Sequence, residues 1–199
     1  MNHLKTILAT VFLAAFVPIS ASAFNADRAF HVQERIVMHL VGAGRPLTGS
    51  EVARLVRVAA RAGVHMAPEV CFDVPLKNLE TGLPLGKGFS CLEQINILGD
   101  GSFFTLVETG IFQLRGGKLV VQGELTGGAL LNGDNDPSSG ITHVTGSFPT
   151  QYNVFGTGIF KHVTGRSRVS GGLNIVNMEK PIFNCIFSMD LFPETYEYR

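Results

Sequence analysis

Tryptophan is absent from this chain of 199 residues, and its charges cancel, with 16 Lys and Arg against 16 Asp and Glu. Lysines and arginines gather into no run, so the electrostatic footprint of a nucleic-acid binder is missing. The same scarcity excludes a polybasic lipid-binding segment. N-x-S/T sequons are lacking, which disfavours a heavily glycosylated protein. Walker and dinucleotide loops are absent too, since Gly42-Ala43-Gly44 follows an expected helix and not a strand. No serine sits in a G-x-S-x-G elbow, and none of the three cysteines carries a nucleophile signature. No cofactor is implied.

What the chain does have begins with a secretory signature. Lys5 supplies the positive start, Ile7–Ile19 the apolar stretch and Ala21-Ser22-Ala23 the small-residue cleavage site. Met1–Ala23 therefore reads as a signal peptide, and the expected location is secreted or periplasmic. The stretch is too short and wrongly flanked to span a membrane, and nothing else approaches a spanning helix. Cys71, Cys91 and Cys185 suit an oxidising compartment, with one disulfide and one thiol left over. A Cys71–Cys91 bridge would close a short loop and contribute about 3 kcal/mol through lost unfolded-state entropy. Cys91–Cys185 is also geometrically possible if the first and last barrel strands pair, and the sequence does not choose.

Two helices are expected near the mature N-terminus. Asn25 or Asp27 caps the first, which runs to about Val41 with Phe30, Ile36, Val37, Leu40 and Val41 on one face. Gly42–Pro46 ends it. Thr48-Gly49-Ser50-Glu51 is a capping-box pattern, and the second helix continues to Gly63, a natural left-handed stop. Its Val52, Leu55, Val56 and Ala59 form the apolar face, while Arg54, Arg57 and Arg61 read as a solvated stripe.

From Val70 onward the period changes to two. Strands are expected over 69–74, 89–98, 102–114, 117–126, 140–148, 167–176 and 181–191. Gly99-Asp100-Gly101 and Arg115-Gly116-Gly117 are hairpin signals between them. Phe183, Cys185, Phe187, Met189 and Leu191 share one face of the last strand. The segments over 89–98 and 102–112 are apolar on both faces, which calls for an outer cover, and the N-terminal helices are the obvious one. Many short strands whose edges must be paired argue for a closed or sandwich-type β fold.

Gly117–Gly123 (Gly-Lys-Leu-Val-Val-Gln-Gly), the turn Gly156–Gly165 within Phe155–Gly165, and Gln94-Ile95-Asn96 before Gly101-Ser102 together resemble the allene oxide cyclase/dirigent barrel family. Pro181–Leu191 matches the character of that family's final strand. The resemblance covers roughly residues 89–191 and implies a small closed antiparallel barrel with an apolar lumen. In the cyclases the first hairpin supplies a carboxylate, an asparagine and a proline. Carried over, the carboxylate becomes Gln94, the asparagine stays as Asn96, and the proline becomes Phe103. Gln94 does not accept a proton as a carboxylate does, so plant-type allene oxide cyclisation is not expected.

A weaker chemistry survives that exchange. Gln94 and Asn96 are two apart on a strand, which puts both amides on one face. In an apolar lumen they would bind a water, a carbonyl or a developing oxyanion, or would simply cross-link the interior by hydrogen bonds. Phe103 would line the lumen, and Tyr152 and Asn153 its mouth. By parity with Phe103, Glu108 would face away. Glu93, Glu108 and Glu124 are then read as surface or rim residues, although a glutamate in the lumen would become a candidate acid.

His31 and His39 lie eight apart, not the four of a helical zinc pair, and His143 and His162 sit on separate elements, so no metal site is expected. Gly133–Ser138 lacks the glycine and glutamate of a calcium loop and reads as an Asx-rich turn.

The expected organisation is a signal peptide over 1–23, a helical hairpin over 24–66 and an antiparallel barrel over 67–199. The expected partner is an apolar small molecule, with no nucleic acid, no membrane span, and self-association left open. The first functional expectation is a cyclase- or isomerase-like barrel that confines its substrate in the lumen. The alternatives are a non-catalytic carrier of an apolar ligand and a secreted interaction module.

Overall fold

Alternation of apolar and polar side chains begins at Glu34, well before the point the sequence suggests. The computed structural model describes residues 34–98, 103–129, 141–145, 152–174, 177 and 179–193. They form β1 (Glu34–Ala43), β2 (Arg45–Pro46), α1 (Gly49–Arg61), β3 (Val70–Asn78), β4 (Pro84–Leu98) and β5 (Phe103–Leu114). Then follow β6 (Gly117–Ala129), β7 (Ile141–Thr145), β8 (Tyr152–Gly158), β9 (Val163–Asn174) and β10 (Ile182–Pro193).

All pairings are antiparallel, and the sheet closes on itself. β1 pairs with β10 from Glu34↔Leu191 to Ala43↔Ile182, and with β3 through Leu40↔Leu76. β7 and β8 share one stave between β6 and β9: β7 takes Thr126–Ala129 of β6, and β8 takes Gly117–Gln122. The result is an eight-stave barrel, with no sheet edge of full length left for another chain to pair with.

One of the two expected helices is a strand. The described part of the 25–41 segment belongs to β1, where Ile36, Met38 and Leu40 are buried in strict alternation. The apolar set of that segment fits either period. Pairing with β10 and β3 decides it, because it satisfies a row of backbone groups and buries three side chains at once. The barrel thus takes its first stave from inside the expected helical segment 24–66. The signal peptide lies outside the described residues. β8 and β2 went unforeseen as strands.

α1 is as expected. The Thr48 N–H donates to Glu51 Oε2 at 2.9 Å. Gly63, at φ +80°, ends the helix, with Gly63 N–H on Ala60 O and Val64 N–H on Ala59 O, the paired bonds of a Schellman stop. Leu55 and Ala59 press onto the outer face of the barrel over Phe89, Ile111 and Val120. This single helix is the cover that the doubly apolar strands require.

Beneath it lies the Cys71–Cys91 disulfide, which joins directly opposed residues of β3 and β4. Cys185 is the free thiol and is buried on the inner side. Inside the barrel, Phe112 meets Phe187 edge-on at 5.0 Å and Phe72 tilts against Phe183 at 5.6 Å. Each large apolar side chain buried there contributes about 2 kcal/mol. The glycine-bounded turn closes one end. Phe160 is fully buried, and a Cβ on Gly156 would sit 1.8 Å from the Phe160 carbonyl oxygen.

Candidate functional site

Among the described residues the barrel interior is closely packed around a cavity of about 20 Å³, bordered by Leu40, Leu92, Phe104, Leu125 and Phe183 together with Ser90, Glu108 and Cys185. Such a space holds about one water molecule. Glu108 is only 5% exposed and accepts a hydrogen bond from the Ser90 hydroxyl at 2.6 Å. Burial pushes the Cys185 thiol up to about 12, and the nearby Glu108 adds to the effect. A thiol held in that state is a poor nucleophile.

Gln94, Asn96 and Phe103, expected to line this space, do not reach it. Glu93 pairs with Val107, yet Asn96 pairs with Thr105, so β4 carries one extra residue between them. That is a β-bulge, and Gln94 adopts φ +52° in it. Side-chain alternation is lost there, so the two amides do not share an inward face. Both are exposed, and Asn96 Nδ2 donates to the Gln94 carbonyl at 2.9 Å.

Phe103 is 54% exposed and faces outward, which corrects its assignment to the lumen. The parity inferred from it inverts in consequence. Phe104 points inward against Gly127, and Glu108 lies inside rather than on the surface. Tyr152 and Asn153 begin β8 opposite Ser167 and Arg166 of β9, and their side chains lie outside the described residues.

The remaining candidates are quickly placed. Glu124 is exposed, as are Arg54, Arg57 and Arg61 on α1. His39 contacts Asn184 Oδ1 at 2.7 Å on the outer surface, and His162 is exposed. His31, the His143 side chain and residues 133–138 lie outside the described residues. Among the described residues no His, Cys, Asp or Glu group is arranged to hold a metal, and no helix is long and apolar enough to cross a membrane.

The larger opening is on the outside of the barrel. Where α1 ends and the chain turns toward β3, a cleft of about 240 Å³ opens between Val56, Ala60, Val64, His65, Met66 and Ala67, with Glu93 of β4 at its base. Glu93 is 7% exposed. Its Oε2 accepts the Ala67 N–H at 2.7 Å, and its Oε1 accepts Gln122 Nε2 at 3.3 Å and the Thr109 hydroxyl at 3.5 Å. Gln122 Nε2 also donates to the His65 carbonyl at 2.8 Å and to Thr109 Oγ1 at 3.0 Å. This network fastens the connection after α1 to β4, β5 and β6, and keeps the cleft open.

Sequence reasoning placed Glu93 on a rim. The signal that identifies it is its phase: Phe89, Cys91 and Glu93 share the outer face of β4, and the first two are covered by α1. A carboxylate continuing a covered apolar row is itself covered. Comparison with protein-family models, with curated proteins and with solved structures gives no match.

Proposed function

We propose that this chain is an exported, non-catalytic binder of a small, mainly apolar molecule, and that the ligand sits in the cleft between α1 and β4. The observation that carries this reading is the contrast in volume, about 240 Å³ in the cleft against about 20 Å³ inside the barrel. A cavity of about 150 Å³ suffices for benzene, and drug-sized ligands occupy about 300 Å³ or more. The interior cavity bordered by the described residues is too small for either. The cleft suits a molecule of roughly one substituted ring.

A cyclase-like role draws less support. Its two amides stand exposed at a bulge, and the interior cavity among the described residues is too small to hold a flexible substrate in a reactive shape. Export is supported by the N-terminal segment and by the Cys71–Cys91 bridge, a bond that persists in oxidising compartments. Kinship with the allene oxide cyclase/dirigent barrels is our reading of the glycine-bounded motifs. It is supported by the eight-stave barrel and by the packing of Phe160 against Gly156.

Ala60 tests the site, because it is exposed on α1 at the rim of the cleft. Ala60→Phe fills the opening without altering the barrel core. Small aromatic probes titrated into the isotopically labelled protein shift amide resonances around Val64–Ala67 in the wild type, and the variant abolishes that response. Binding unaffected by Ala60→Phe would place the ligand elsewhere and sink the proposal.

A further inference from the structure

The cleft has largely apolar walls and a carboxylate at its base. Val56, Ala60, Val64 and Met66 offer no hydrogen-bonding side chain, His65 stands exposed among them, and Glu93 is the acidic side chain presented from below. All three contacts to its carboxylate come from donors, the pattern of an ionised acceptor. None of those donors carries a positive charge. Among the described residues no Lys, Arg or His forms an ion pair with Glu93; the ion pairs present join Arg35 to Asp190 and Arg45 to Glu51 and Asp73. A buried charge without a counter-charge is costly, and here it faces an opening large enough for a ligand.

We infer that the cleft takes a primary amine, bound as its ammonium, on a compact apolar body of about one ring. This rests on the binding reading above and names the class of ligand. The ammonium supplies the counter-charge that Glu93 lacks and carries up to three donors. Beyond its three present bonds, the carboxylate has lone-pair capacity for one more. The apolar body replaces solvent along Val56, Val64 and Met66, whose burial favours association. A carboxylate-bearing molecule of the same shape is rejected, because like charges would meet at the base of the cleft.

Three probes of matched shape test the inference on the full chain at neutral pH: 2-phenylethylamine, propylbenzene and 3-phenylpropionate, followed by amide resonance shifts. The amine is expected to bind about tenfold or more tighter than propylbenzene, the order of one charge-assisted hydrogen bond. The acid is expected not to bind. Glu93→Gln keeps the acceptor for Ala67 and removes the charge, so it should lower amine affinity by about tenfold and leave propylbenzene unchanged. If that variant fails to fold, the three-probe ranking on the wild type decides alone. Equal binding of amine and propylbenzene, both abolished by Ala60→Phe, would overturn the amine assignment and leave the binding site standing. Absence of binding by all three would overturn both.

Discussion

Ser90 and Glu108 meet inside the barrel as diagonal neighbours on β4 and β5, the hydroxyl donating to Oε1 at 2.6 Å. Gly123 stands opposite Glu108 on β6. Around this pair the lining is mostly Leu, Phe and Val. Removing one partner of a buried hydrogen bond in such surroundings costs about 2 kcal/mol. Ser90→Ala should therefore lower unfolding free energy by about that amount, measured by urea denaturation. A loss under about 0.5 kcal/mol would mean that the bond contributes nothing net to the fold.

Gly156 and Phe160 make the second test. Any side chain at 156 collides with the Phe160 backbone, and the collision involves carbonyl oxygen, not a flexible tip. Gly156→Ala should destabilise the barrel by about 3 kcal/mol or more, at the upper end of overpacking effects. Thermal unfolding followed by circular dichroism reads it. Gly49, with open space around its Cβ position, is the control, and Gly49→Ala should leave the midpoint nearly unchanged.

Cys185 gives the molecule an alkaline limit. Its pKa stands near 12 in the folded protein against an ordinary 9.0. The folded state thus holds this proton more tightly, and the associated stability is complete below pH 9 and drains away as pH rises toward 12. Cys185→Val should flatten the stability profile in that window. At neutral pH the native thiol should resist iodoacetamide and react only once the protein is unfolded; rapid labelling of the native state would contradict its burial.

Glu51 sets a dependence of opposite sign. Hydrogen bonds from Arg45, and then from the Thr48 N–H, hold its carboxyl down at about 2 against an ordinary 4.5. The group supports the folded state above pH 4.5 and ceases to do so as pH falls toward 2. Glu51→Gln should reduce the pH dependence of stability over this range, since the cap geometry survives while the titration does not. Paired acid titrations of the two proteins, monitored by far-ultraviolet circular dichroism, check it.

Local signals were legible where local physics suffices. The capping box at Thr48–Glu51, the stop at Gly63 and the hairpin turn at Gly116 each rest on a few neighbouring residues. So did the need for an outer cover on β4 and β5, because residues apolar on both faces admit no other arrangement. The site was poorly legible for a specific reason. One extra residue in β4 reverses the orientation of everything beyond Glu93, and no composition or spacing rule marks a bulge centred on Gln94. The assignment of Asn96, which depended on uninterrupted alternation along β4, therefore failed, while that of Glu108 failed separately because its phase was taken from Phe103, a position carried over from the resemblance.

The sequence by itself determined a β-rich chain with one capped helix and glycine-marked hairpin turns, since propensity, period and turn chemistry act over a few residues. It left the choice of disulfide open. Only the tertiary structure chose Cys71–Cys91, drew residues 34–43 into a closing stave, filled the barrel and buried Glu93 under the end of α1. These outcomes share one cause. Each depends on which distant strand lies alongside, and that is decided by closing the sheet and burying its inner face as a whole.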